Sequence, residues 1–201
     1  YKGQSSESLK MDLENKSASL GGFSGKNAYG LTLHGQTEHK SSLFKHFFNS
    51  FLSPSIPTKF VNLEKELIQR TIDNQKEDPL KSCFKTFNDM IFGDHHYALD
   101  MIGTEKSLKK INNKVLKDTH ANNLNKSELV ITCCGDIDAD EVIQMVNKYI
   151  KDLKPRKFTK TKIKKIKSSL GNTRKIEFDR EQTQIFIGTK GYNILEKEDI
   201  Y

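Results

Sequence analysis

Apolar residues recur along this chain with two different periods, and the switches between them mark out its elements. Ser5-Ser6 followed by Glu7, with Leu9 and Leu13 at helical spacing, predicts a capped helix ending near Lys16. Ser17 to Phe23 and Ala28 to Gly35 read as two strands turned by Ser24-Gly25-Lys26-Asn27. Tyr29-Gly30-Leu31-Thr32-Leu33-His34 alternates large with small or polar residues, as a half-buried strand does. From Glu38 the period becomes helical. Leu43, Phe44, Phe47, Phe48, Phe51 and Leu52 form a stripe that reads as the core face of a helix rather than a ligand groove.

Ser53-Pro54-Ser55-Ile56-Pro57 stops that helix, because proline offers no N–H to continue it. A second helix carries Phe60, Leu63, Leu67, Ile68 and Ile72. A third starts at Pro79, suited to a first helical turn, and runs through Phe84, Phe87 and Ile91. Phe92 to Thr104 (FGDHHYALDMIGT) is a loop, followed by a short helix from Glu105 and another near Val115 to Leu124. Glu128 to Cys134 (ELVITCC) reads as a buried strand ended by Gly135-Asp136. Asp138 then caps a helix whose core face is Val142, Ile143, Val146 and Ile150. Arg174 to Phe178 and Gln182 to Gly188 look like two strands of a new unit. Strands mixed with tandem helices predict an α+β fold, a mixed antiparallel sheet packed by helices. The organisation expected is an α/β domain over 1–152, a linker over 153–172 and the start of a further unit over 173–201.

Composition narrows the function. The chain has 201 residues, 35% of them hydrophobic and 29% charged, which suits a folded soluble protein rather than a disordered one. No stretch approaches the roughly 20 apolar residues of a membrane span. The net charge of +7 is local: Lys154 to Lys167 holds eight basic and no acidic residues, and the remainder carries 25 basic against 26 acidic. Its single aromatic, Phe158, is too little stacking surface for a nucleic-acid groove, so a solvated linker is expected, with a polyanion-binding module as the alternative. Three cysteines, Cys83, Cys133 and Cys134, form no CxxC and no even framework, and read as buried thiols. The ends, Tyr1-Lys2-Gly3-Gln4 and Lys197-Glu198-Asp199-Ile200-Tyr201, look cut from something longer. The compartment stays open, a bacterial cytoplasm or periplasm fitting equally.

Several joints together resemble the insulinase/pitrilysin family of zinc metallopeptidases, which includes the mitochondrial processing peptidases. Tyr1-Lys2-Gly3 is similar to the aromatic-x-Gly that follows the family's inverted zinc motif. Ser53-Pro54 is similar to its P-x-F helix end, and Glu77-Asp78-Pro79 to its D-x-P junction. His96-Tyr97 within FGDHHYALDMIGT resembles its HPYG…GT loop, and LVITCCGDIDADEV (129–142) its G-D strand and helix. The five occur in order over nearly the whole chain.

The family's chemistry needs two His and a Glu as H-x-x-E-H on one helix, plus a Glu from a later helix, to hold zinc and activate its water. His34, His39, His46, His95, His96 and His120 never take that spacing, and His34 and His39, the nearest candidates, read as surface or edge histidines. Alignment by resemblance puts the zinc motif just before Tyr1, so the later Glu is the sharper test. Ile72 and Pro79 have the family's separation and Glu64-Lys65 fall on its opening pair, which leaves Arg70 and Thr71 at the two acidic positions. A cation there opposes Zn²⁺.

The resemblance therefore implies a non-catalytic half, with no catalytic residue, metal ligand or cofactor of its own. Zinc is expected in a partner catalytic half, and unfolded peptide as substrate. Gly21-Gly22 stand where catalytic halves resemble Asn-Ala on the strand that pairs with substrate backbone. Gly21, Gly22, Phe23 and Ser24 are therefore the expected peptide contacts, a protective bulge being the bland alternative. The rival reading is a competent peptidase with its HxxEH upstream, in which a one-turn slip recruits Glu64, Glu66 or Asp73. Asp136 and Asp138 are explained as strand end and helix cap.

Overall fold

The computed structural model describes residues 1–126, 128–153, 166, 171–189 and 191. Apart from Ile166, the basic segment 154–167 lies outside them. In order come α1 (Ser6–Glu14), β1 (Ser19–Ser24), β2 (Tyr29–His34), α2 (Lys40–Leu52), α3 (Thr58–Glu77), α4 (Pro79–Phe92), α5 (Glu105–Lys110), α6 (Asn113–Lys126) and α7 (Ala139–Ile150). Short 3-10 turns stand at Thr37–His39 and His96–Ala98. The α+β expectation is met by these helices and one antiparallel hairpin. The chain divides into two compact units, Tyr1–Leu63 with Ile111–Thr161, and Glu64–Lys110 with Lys162–Tyr201.

Local chemistry starts the helices where the sequence places them. The Ser5 hydroxyl accepts the Ser8 N–H, Asp78 accepts from Leu80 and Lys81 ahead of Pro79, and Asp138 accepts from Glu141. Each satisfies an N–H that the first helical turn leaves without an internal partner. At α5 the cap is reciprocal. Thr104 Oγ1 accepts the Ser107 N–H, and Ser107 Oγ accepts the Thr104 N–H.

The core of the first unit gathers on α2. Leu43 and Phe48 are its best-buried apolar residues, joined by Leu13 from α1 and Val61 from α3. Phe48 stacks on Tyr149 of α7, centroids 4.9 Å apart and nearly parallel, while Phe47 meets Phe48 edge-on at 5.4 Å. Burial raises the Tyr149 phenol above its ordinary range, with the nearby Tyr1 hydroxyl adding to it. Lys40 bridges α2 to Glu141 of α7 at 2.6 Å, and the His120 Nε2–H of α6 donates to the Phe51 carbonyl at 2.8 Å. In the second unit Ile72 and Leu108 are buried, and Phe186 packs on Phe84 and Phe87 of α4.

Four expectations are corrected. Glu128–Cys134, Arg174–Phe178 and Gln182–Gly188 are not strands, because none finds a ladder partner among the described residues; the Gln184 carbonyl is taken by the Cys83 thiol instead. Glu128–Cys134 is also largely exposed, so Cys133 and Cys134 are exposed free thiols and Cys83 is half-buried. On α3, Phe60, Leu63 and Leu67 are exposed and Val61 and Ile72 are the buried pair. On α7, Ile143 faces out and Tyr149 takes the core contact.

Candidate functional site

The β1–β2 hairpin closes where the Ser24–Tyr29 connection carries Gly25, whose N–H bonds the Ala28 carbonyl, and β2 supplies the alternating segment. Its register pairs Ser19 with His34, Gly21 with Thr32, Gly22 with Leu31, Phe23 with Gly30 and Ser24 with Tyr29. Among the described residues each strand has one ladder partner, so β1 keeps a free edge. Phe23 lies across the hairpin onto Gly30, where an added Cβ would stand 2.8 Å from its ring. Gly30 leaves room for that ring to lie flat.

Gly21 and Gly22 differ. A Cβ at Gly21 would meet nothing closer than Thr32 Oγ1 at 3.5 Å, and one at Gly22 nothing closer than 3.8 Å. Neither glycine is required by the hairpin's own packing. The space that their missing side chains leave is open, and all four of Gly21, Gly22, Phe23 and Ser24 are exposed. The structure thus brings the four expected contacts together on one exposed strand.

The zinc test turns on donor groups. The ring nitrogens of His46 are both engaged, Nε2 with Asp12 and Nδ1 with the Tyr1 hydroxyl at 3.3 Å. His95 Nδ1 accepts the Tyr97 N–H, and His120 is bound to Phe51. On α3, Arg70 and Thr71 are exposed and the Thr71 hydroxyl turns back to the Leu67 carbonyl. Asp73 is held by Gln69 first and Lys76 second, both keeping its carboxyl below the ordinary range. Among the described residues no three His, Cys, Asp or Glu side chains converge to hold a metal ion. The described residues therefore offer no donor set that fits zinc.

Sequence reasoning missed the buried centre of the first unit. His46, 6% exposed, stands on the core face of α2 three residues after Leu43, bonded to Asp12 of α1, which also pairs with Lys16. Lys16 first, then His46, holds the Asp12 carboxyl below the ordinary range. The signal was a lone histidine inside an apolar stripe.

Residues 110–201 match the sequence profile of the peptidase M16 inactive domain. Over 89 residues the chain is 26% identical to an uncharacterized zinc protease of Mycobacterium leprae and 22% identical to one of Mycobacterium tuberculosis. Those matches take in 44% of this chain and 20% of each relative. Among solved structures it superposes on a peptidase M16 inactive domain from Pseudomonas fluorescens with a TM-score of 0.71 and 21% identity, covering 82% of this chain and 40% of that one. A protease from Helicobacter pylori gives 0.65 at 12% identity, covering 83% and 40%. The chain thus spans about a fifth of these curated relatives and two-fifths of these solved chains. Residues 110–201 are similar to the peptidase M16 inactive domain and the chain shares the fold of a solved example, which bears out the resemblance to the insulinase-type metallopeptidases read from its joints.

Proposed function

We propose that this chain is a non-catalytic part of an insulinase-type zinc peptidase that lines a substrate chamber and grips unfolded peptide opposite a zinc-bearing half. The observation that carries the reading is the edge that β1 leaves unpaired among the described residues, with Gly21 and Gly22 on it. An extended peptide adds to such an edge through main-chain hydrogen bonds, and glycines let the two backbones approach without side-chain collision. The cation Arg70 on α3, where the resemblance expects an acidic zinc ligand, supports a gripping role over cleavage. In this reading 1–152 is the gripping domain, 153–172 a linker and 173–201 the beginning of a following unit.

The test is a titration of the isotopically labelled chain with an unstructured peptide, followed by amide NMR. Shifts concentrated on Gly21, Gly22, Phe23 and Ser24 are expected. Shifts elsewhere, or none, overturn the grip. Elemental analysis after equilibration with zinc and dialysis should find almost none bound. About one tightly held zinc per chain would favour the rival, a competent peptidase half.

A further inference from the structure

The loop after α4 holds a second buried histidine whose bonding is the reverse of His46. His95 is 6% exposed and precedes the 3-10 turn His96–Ala98. Its Nδ1 accepts the Tyr97 backbone N–H at 3.2 Å, so that nitrogen carries a lone pair and the neutral ring's hydrogen sits on Nε2. Nε2 is buried without a hydrogen-bond partner among the described residues.

The neighbours packed on it are ring side chains rather than carboxylates. Phe92 of α4 lies 6.4 Å from it, His96 4.2 Å and Tyr97 5.0 Å, centroid to centroid. The carboxylates on the elements packed here are otherwise placed. Asp89 of α4 takes Lys85, Asp100 takes the Ile102 N–H, and Asp94 is exposed. An imidazolium would carry hydrogen on both nitrogens. Nδ1 could no longer accept from Tyr97, the buried Nε2–H would lack an acceptor, and a charge on His96 would repel it at 4.2 Å.

We propose that His95 is a proton-operated latch: neutral, it pins the loop running from Gly93 to Thr104 through the Tyr97 N–H, and protonated, it releases that loop. The ring escapes its buried position only by turning out to water, and the 3-10 turn loses its cap as it goes. Tyr97 packs edge-on against Phe92 at 5.8 Å beside that cap. This device is independent of the peptidase reading.

The experiment is NMR on the ¹⁵N-labelled chain from about pH 8 to about pH 5, the span in which histidine ordinarily changes charge. At the upper end the ring nitrogen shifts of His95 should report hydrogen on Nε2. As the ring protonates, the Tyr97 amide should lose protection against hydrogen exchange by about fivefold, the size of one hydrogen bond, after correction for intrinsic exchange. His95→Asn keeps a cap oxygen that does not titrate, and should hold Tyr97 protected throughout. Hydrogen on Nδ1 at the upper end would overturn the latch without need of any variant. So would a His95 that protonates with Tyr97 still protected, or the same loss in His95→Asn.

Discussion

The imidazole Nε2 of His46 is hydrogen-bonded to the carboxylate of Asp12, 34 residues earlier, and this contact ties α1 to the buried face of α2. The carboxylate is the acceptor, so Nε2 carries hydrogen and the Tyr1 hydroxyl donates to Nδ1 in the neutral ring. Removing the ring leaves a cavity beside Leu43 and two polar groups without their partner. His46→Ala should destabilise the fold by about 2–3 kcal/mol, read from urea denaturation.

Asp12 gives this tie an acid limit. Lys16 and His46 lower its carboxyl in the folded chain, so the unfolded chain binds the proton more readily. The stabilisation is therefore complete above the unfolded carboxylate's value of about 3.9 and is lost as pH falls through the lower folded value. Asp12→Asn should lower the denaturation midpoint at neutral pH and flatten its fall in acid. An equal acid slope in both proteins would contradict the assignment.

Phe48 is the largest fully buried side chain described and its ring covers Tyr149. Phe48→Ala should cost about 3–5 kcal/mol. In chains that remain folded it should also bring the Tyr149 phenol back down toward its ordinary range, since burial is the main cause of its rise. Ultraviolet titration of the tyrosines checks the second point.

Glycine substitutions separate the hairpin's own needs from those of a bound peptide. Gly22→Val meets no atom closer than 3.8 Å at its Cβ, so folding should survive while peptide-induced shifts on β1 disappear. Gly30→Val puts a Cβ within 2.8 Å of the exposed Phe23 ring and should turn that ring off the hairpin while folding survives, read from the Phe23 ring shifts. Loss of folding in Gly22→Val would remove the reason for assigning its open space to a ligand.

Gly35 is a packing glycine. A Cβ there would stand 2.5 Å from Leu43 Cδ1 and 3.0 Å from Ala18 Cβ, where the chain enters α2. Gly35→Ala should destabilise by about 1–3 kcal/mol, as overpacking does, measured by thermal or urea denaturation.

Helix positions, caps and the hairpin were legible in the sequence because their causes are local. The hydroxyl of Ser5 and the carboxylates of Asp78 and Asp138 reach N–H groups two or three residues ahead, and the stripe on α2 returns each turn. The Ser24–Tyr29 turn brings its two strands together without help from distant residues. The joints that resemble a peptidase family were legible for the same reason, as short runs at fixed spacing.

Burial and pairing between distant segments were decided by tertiary structure. Ile185 and Ile187 alternate with Phe186 as a strand would, yet a strand exists only through a ladder, and among the described residues none is there to complete it. Leu63 and Leu67 repeat at helical spacing as legibly as Leu43 does, but what covers a helix face is set by other elements, and the side of α3 that became buried is that of Val61 and Ile72. His46 and His95 read alike in the sequence as unmatched histidines. One came to face a carboxylate from another helix and the other a backbone N–H, because a ring's bonding depends on whatever the folded chain brings to its two nitrogens.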